Sequence, residues 1–357
     1  LRALKRHGVD ADFVLVVDPQ YWNSRHLDGI DTRSTILISE SATHPMVFRS
    51  QYRAVFFSGS VFPLGGYLDP SEEKPHKLGA GGSVSTTAWD FAHYIGSGKV
   101  YLTGMDLGFP EKKTHYRGSF FEDRLFSLST RVSPYEGHIF DYLHNGEPFY
   151  HENFNGGRTL TDRRLIIYRQ WFEEQIASAE KNTFTLSPEG IKIDGVGVKR
   201  IDDLRALPVI RNDINARLET IVSAYNSAQK IEFQSRKDKL FQKTQSLIDE
   251  LQQIKRIADK GLHTIESIEH YMDSEYRSPA VQQAFHTLDE IDRQLLQSAG
   301  RYVAGFLINP VLEQIQDEVN SQQSLKDSIR ASQTIYRHLN ESAQFHINLF
   351  DSQHPLQ

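Results

Sequence analysis

The residues with the type and spacing for chemistry fall into three groups. The first is a glycine-rich run, Gly79-Ala80-Gly81-Gly82-Ser83, which opens onto Val84, Ala88, Phe91, Ala92 and Ile95 at helical spacing. Gly81, Gly82 and Ser83 are thereby expected at a helix N-terminus, where backbone N–H groups and the helix dipole suit a phosphate. The second is Asp106, which follows the short apolar run Val100-Tyr101-Leu102. That is the strand end where open α/β sheets bind ligands, and a carboxylate there suits a ribose hydroxyl or the orientation of a neighbour. The third is Thr114-His115-Tyr116-Arg117-Gly118. His115 is the first candidate for a general base, because imidazole titrates near neutral pH. Tyr116 and Arg117 beside it suit a phosphate or a sugar carboxylate. Asp18 and Gln20, just past the apolar run 13–17, are second-rank polar contacts.

Each group also has a plainer reading. The glycine run carries neither a following Lys-Ser/Thr nor a Gly-x-Gly-x-x-Gly pattern, so it also reads as a tight turn that lets a helix pack on a sheet. Asp106 also suits a turn cap, and His115 is one of 15 histidines. The histidines are scattered without metal-ligand spacing, so no metal is expected. Cysteine is absent, which excludes disulfides, thiolate metal sites and thiol nucleophiles. A net charge of -6 argues against non-specific nucleic-acid binding. No apolar run is long enough for a membrane-spanning helix, and a cytoplasmic location is expected.

The elements that must position these residues divide by composition. Residues 13–17, 35–39, 54–58 and 100–103 are apolar strand candidates separated by helical or turn stretches. This pattern predicts an α/β, Rossmann-like first domain over 1–200, with a largely parallel sheet and helices on both faces. Residues 59–82 read as a long functional loop, and the aromatic stretch 108–160 as irregular structure. A helix is predicted over 162–180, capped by Thr161 or Asp162, and Phe184-Thr185-Leu186 reads as a last strand.

From residue 201 glycine becomes scarce, and an all-helical bundle domain over 201–357 is predicted. Thr244, Leu247, Leu251, Ile254, Ala258, Gly261, Ile265, Ile268 and Met272 form a heptad-like seam. A second helix is expected through Val281, Leu288, Ile291, Leu295, Tyr302 and Phe306, broken at Asn309-Pro310. A third is expected through Val311, Ile315, Val319, Ile329, Tyr336 and Leu339. This region is expected to recognise a protein acceptor or to join subunits into a homo-oligomer.

Several strings resemble one family. Gly81-Gly82-Ser83-Val84-Ser85-Thr86-Thr87-Ala88, then a helix, then Val100-Tyr101-Leu102-Thr103-Gly104-Met105-Asp106-Leu107 resemble the core of the motility-associated factor (Maf) flagellin glycosyltransferases and their MptE-like, pterin-pyrophosphokinase-like domain. The segments 8–19, 114–118 and 168–173 are similar to further family segments in the same order. The family in turn resembles bacterial CMP-sialic acid sialyltransferases. The resemblance implies transfer of a nonulosonic acid, of pseudaminic or legionaminic type, from its CMP carrier to Ser/Thr of flagellin. It implies CMP-nonulosonate as donor substrate, no separate cofactor, and flagellin as partner. A non-catalytic flagellin-binding protein and a pterin pyrophosphokinase are the alternatives. Two features depart from the pattern. The family's Gly-x-Gly-Pro-Ser-Leu start is missing from a chain that begins at Leu1, so a fragment or processed product is expected. The sialyltransferases place a base histidine just before the helix that corresponds to 162–180. Here that position reads Gly157-Arg158-Thr159-Leu160-Thr161, and the nearest histidine is His151.

Overall fold

The three-dimensional structure is a computed structural model that describes residues 1–96, 98–179, 182–269, 278–310 and 325–352. In chain order its regular elements begin with α1 (Arg2–Arg6), β1 (Phe13–Val16), α2 (Tyr21–Ser24), β2 (Ile36–Ser39), β3 (Ala54–Phe57), α3 (Pro63–Leu68), α4 (Val84–Tyr94) and β4 (Val100–Leu102). They continue with α5 (Phe120–Leu128), α6 (Tyr135–His144), β5 (Phe149–Glu152), β6 (Arg158–Thr161), α7 (Arg163–Ala179), β7 (Thr183–Thr185), β8 (Gly197–Val198) and α8 (Ile201–Leu204). The remaining described helices are α9 (Arg211–Ile268), α10 (Pro279–Gln297), α11 (Arg301–Phe306) and α12 (Leu325–Ser352). Contacts divide the chain into two compact units, one of residues 1–61 with 75–230, the other of 62–74 with 231 onward.

The first unit is α/β. Its strands form two three-stranded sheets, β1-β2-β3 and β4-β7-β8, and every pairing in them is parallel. β2 lies between two neighbours and is buried along its whole length, as its uninterrupted Ile36-Leu37-Ile38 requires. Phe91 of α4 and Leu218 and Val222 of α9 cover one face of this sheet, while Leu27 and Val47 pack with Leu37 on the other. The start of α9 is also fixed by Arg211, whose Nη1 bonds both oxygens of Asp12 at 2.8 and 2.9 Å. The second sheet is covered by Trp89 of α4 and by Phe172 and Ile176 of α7. Trp89 and Phe91 are two residues apart and so about 200° apart around α4. One helix therefore serves both sheets, and its N-terminal glycine run emerges beside them.

Some expectations need correction. The stretch 108–160 is not irregular: it holds α5, α6 and the antiparallel hairpin β5-β6. The expected loop 59–82 contains the helix α3. In both places the helices have ten residues or fewer, too short to stand out in the sequence without the tertiary contacts that stabilise them.

The second unit is helical. Leu247, Leu251, Ile254, Ala258, Ile265 and Ile268 of α9 are buried together with Val281, Leu288, Ile291 and Leu295 of α10 and Ile329, Tyr336 and Leu339 of α12. Gly261 belongs to the seam because a Cβ there would lie 2.6 Å from the Tyr336 ring. The second helix stops at Gln297, capped by Ser298, and Tyr302 and Phe306 belong to the separate helix α11 with largely exposed side chains. Met272, Val311, Ile315 and Val319 lie outside the described residues.

Candidate functional site

The glycine run is shaped by what packs on it. A Cβ on Gly79 would lie 2.6 Å from the Trp171 ring, and one on Gly81 would lie 2.5 and 2.6 Å from the same ring. Gly82 has φ +89, and its Cβ would lie 2.7 Å from the Tyr168 ring. The run is thus a joint that lets α7 close on α4. Its backbone groups are also partly committed: Gly79 N–H donates to Asp90 Oδ2 (2.9 Å) and Gly81 N–H to Thr86 Oγ1 (3.0 Å). Ser83 caps α4 by accepting from Ser85 N–H, and its Oγ lies 2.9 Å from Ser85 Oγ. What faces an anion here is narrower than the sequence pattern predicts: the N–H groups of Gly82 and Ser83 and the two hydroxyls.

α7 carries the other side of the site. Arg164, Tyr168 and Trp171 recur at steps of four and three, and so share one face of the helix. Trp171 and Tyr168 back the glycine run. Arg164, one turn before Tyr168, reaches Tyr142 of α6. Its Nη2 donates to Tyr142 Oη (3.1 Å) and to Asp162 Oδ2 (3.0 Å). Asp162 is 2% exposed, and its Oδ1 accepts the Leu165 N–H at 2.9 Å, the cap expected for this helix. His115 stacks on Phe121 of α5, with ring centroids 3.9 Å apart, and lies 6.0 Å from the Tyr142 ring. His115 keeps an exposed flank, and desolvation against its ring neighbours, then the charges of His26 and Arg164, push its pKa down to about 4. His115 is therefore neutral across physiological pH, a ready but weak proton acceptor. His26 is pushed down as well, by burial and by Arg2.

Asp106 stands apart from His115. Its charged neighbour is Glu189, and burial followed by that carboxylate raises its pKa. The backbone fixes this corner tightly. Ile191 N–H donates to Asp106 O at 2.7 Å, and a Cβ on Gly190 would lie 2.8 Å from Asp106 Cα. The next residue, Leu107, has φ +44 with its side chain in the core, a left-handed conformation that costs a branched residue about 1–2 kcal/mol. Such strain persists only where surrounding contacts over-determine it. Asp18 accepts the Gln20 N–H at 2.7 Å, so it turns the chain from β1 into α2. Tyr116 and Arg117 are exposed, and neither side chain bonds another described residue. His151 is held elsewhere, with Nε2 3.0 Å from Arg169 Nη1.

Sequence reasoning missed three polar residues. Arg164 and Tyr142 had no local motif; the face shared by Arg164, Tyr168 and Trp171 was a signal for Arg164, and nothing in the sequence paired Tyr142 with it. Glu40, at the end of the central strand β2, is 5% exposed; it accepts the Val61 N–H at 3.3 Å, and burial raises its pKa. Among the described residues no group of three or more His, Asp or Glu side chains is arranged to hold a metal ion.

Comparison with known proteins fits this geometry. Residues 1–112, which run from α1 through the glycine run and Asp106, match the family described as 6-hydroxymethylpterin diphosphokinase MptE-like. Over 99% of this chain and 49% of that one, the fold resembles the solved structure of a Maf glycosyltransferase from Magnetospirillum magneticum AMB-1, at TM-score 0.52 and 14% identity. An uncharacterized protein of Treponema pallidum (strain Nichols) is 32% identical over 230 residues, 56% of this chain and 58% of its own length. A second uncharacterized protein of that organism is 23% identical over 133 residues, 36% of this chain and 47% of its own length. The chain thus spans about half the length of the curated relatives it matches. The fold likeness takes in the parallel sheets, the helices around them and the helical region that follows. Among the described residues no helix is long and apolar enough to cross a membrane.

Proposed function

We propose that this chain is the donor-binding part of a glycosyltransferase that moves a nonulosonic acid from its CMP carrier to Ser/Thr hydroxyls of flagellin in the cytoplasm, in the service of flagellum assembly and motility. The observation that carries this reading is the shared face of α7. Trp171 and Tyr168 pack the glycine run, and Arg164, one turn away, holds the aromatic group around His115. The family match over residues 1–112 and the fold likeness to a Maf glycosyltransferase support it.

In the proposed reaction the acceptor hydroxyl oxygen bonds to the anomeric carbon, the bond from that carbon to the phosphate oxygen breaks, and CMP leaves. Gly82 and Ser83 offer N–H groups to the phosphate, and Asp106 suits a ribose hydroxyl. Neutral His115 takes the hydroxyl proton. A base this weak suits a reaction in which the leaving group departs well ahead of proton transfer, when the hydroxyl has become strongly acidic. Asp18, Gln20, Tyr116 and Arg117 are outer contacts in this reading.

Ser83→Asp places a carboxylate against the phosphate and is expected to abolish CMP binding by the full-length protein, read by calorimetry. His115→Ala is expected to lower sugar transfer about a hundredfold or more, read as glycan occupancy of co-expressed flagellin by mass spectrometry. Unchanged affinity and wild-type occupancy would refute the reading. One observation favours a non-catalytic flagellin-binding protein instead: the Gly81 N–H is already taken by Thr86, which narrows the phosphate cradle. The description of the matched family favours a pterin diphosphokinase. Binding of 6-hydroxymethylpterin and ATP, with no binding of CMP, would select that activity.

A further inference from the structure

An arginine held by one nitrogen and open at the others is a preorganised anion receptor. Arg164 fits this description. Its Nη2 is fixed between the buried Asp162 and the Tyr142 hydroxyl, and its guanidinium lies 5.6 Å from the centre of the Tyr142 ring. Asp162 cannot fill the rest of the fork, because its second oxygen caps α7. Nε and Nη1 make no bond to other described residues, and the side chain is 51% exposed. A guanidinium has five donors in a planar fork that matches carboxylate and phosphate oxygens two at a time. The same Tyr142 ring lies 6.0 Å from the His115 ring, and the Arg164 charge acts on that imidazole. Arg164 supplies the positive charge there, and Asp162 balances part of it through the 3.0 Å bond to Nη2. Arg164 and His26 both act on His115, and Arg2 acts on His26. Of the nearby acids, Asp162 divides its two oxygens between Arg164 and the cap of α7, Glu122 accepts the Gly118 N–H and the Tyr135 hydroxyl, and Asp123 is paired with Arg2 at 2.7 Å.

The geometry points to Arg164, rather than Arg117, as the residue that anchors the anionic group of the donor beside His115, with Asp162 and Tyr142 as its positioning residues. This rests on the glycosyltransferase reading and deepens it, by naming the residue that selects an acidic donor. The anion has two sources in such a donor: the phosphodiester of the CMP carrier and the carboxylate of the sugar. Arg117, by contrast, is exposed and its side chain bonds no described residue.

The test uses the full chain with Arg164→Met, Arg164→Lys and Arg117→Ala. CMP and free N-acetylneuraminate are titrated separately by calorimetry, and the His115 ring protons are followed by NMR. Arg164→Met is expected to weaken one of the two anions roughly 10- to 100-fold, the loss of a charge-assisted hydrogen-bond pair. Arg164→Lys restores the charge without the fork and is expected to recover only part of that loss. Arg117→Ala should change neither affinity more than about twofold, as for a solvated surface charge. A loss confined to CMP assigns the phosphate, and a loss confined to the sugar acid assigns the carboxylate. Wild-type affinity for both anions in a folded Arg164→Met or Arg164→Lys protein overturns the proposal. So does a wild-type protein in which neither anion moves the His115 signals. The titrations need no turnover. Anion binding through Arg164 without sugar transfer therefore counts against the transferase reading and leaves the anchor standing.

Discussion

Replacing Gly81 with alanine separates a packed joint from an open phosphate cradle. The added methyl would lie 2.5 Å from Trp171 Cγ, 2.6 Å from its Cδ2 and 2.8 Å from Thr86 Cγ2. Neither neighbour can move freely. Trp171 is wedged edge-to-face against Trp89 at 5.8 Å and against Phe172 at 5.4 Å. Thr86 is fully buried, with its hydroxyl bonded to Ser83 O and to Gly81 N–H. Overpacking of this kind typically costs about 1–3 kcal/mol. At 2–4 °C per kcal/mol for a domain of 150–250 residues, the expected fall in melting temperature is roughly 2–12 °C. Gly98→Ala is the control, because no atom lies within 4 Å of the Cβ position there. It should leave stability unchanged or raise it slightly through the unfolded chain. Thermal unfolding of Gly81→Ala, Trp171→Ala and the double variant gives the coupling directly. The pair should fall short of additivity by at least about 0.5 kcal/mol, because deleting the ring removes the clash. A Gly81→Ala protein that melts within 1 °C of the wild type (a margin well inside the expected shift), and whose effect adds to that of Trp171→Ala, would refute the packing argument. Retained stability with loss of CMP binding would favour the open cradle.

Three further outcomes follow from polar groups that desolvation or burial perturbs. The folded-state pKa of His115 lies below its unfolded value, so the unfolded chain binds the extra proton first; the stability difference between wild type and His115→Phe should be constant above about pH 6.5 and shift against the wild type as pH falls towards 4, read from melting temperature against pH. Glu40 has the opposite sign, since burial raises its pKa: the ionised form is disfavoured in the fold above its unfolded value, so Glu40→Gln, which keeps an acceptor for Val61 N–H, should raise the melting temperature at pH 7–8 and lose that advantage towards pH 4, where an unperturbed Glu protonates. In the helical unit the Tyr336 hydroxyl donates to Asp292 Oδ1 at 2.6 Å from a ring that is 1% exposed; Tyr336→Phe should cost about 1 kcal/mol in denaturant unfolding, and an unchanged midpoint would show that the bond contributes nothing net.

Local signals in the sequence were enough for the strands and helices whose pattern repeats. The continuous Ile36-Leu37-Ile38 became the buried central strand, because a strand covered on both faces needs no polar alternation. The three- and four-residue steps from Leu247 to Ile268 became the buried stripe of α9, because one apolar face of a long helix must find cover. Asp162 was legible as one of two cap candidates, since it bonds backbone within three residues of itself. Short elements were not legible. α3, α5 and α6 have ten residues or fewer, too short to be stable alone, so their composition says little about whether neighbours will hold them.

The candidate site shows the same division. The sequence by itself determined which residue types stand where: the glycine run before a capped helix, an acid after a strand, and a histidine in the loop beyond. Each of these rests on neighbours in the chain. Tertiary structure alone decided what those residues can do. It filled the glycine run with Trp171 and Tyr168, committed the Gly81 N–H to Thr86, set Asp106 against Glu189, and brought Arg164 and Tyr142 to His115 from elements 49 and 27 residues away along the chain. The physical reason is that protonation and packing depend on burial and on charges across space, and a linear sequence carries neither.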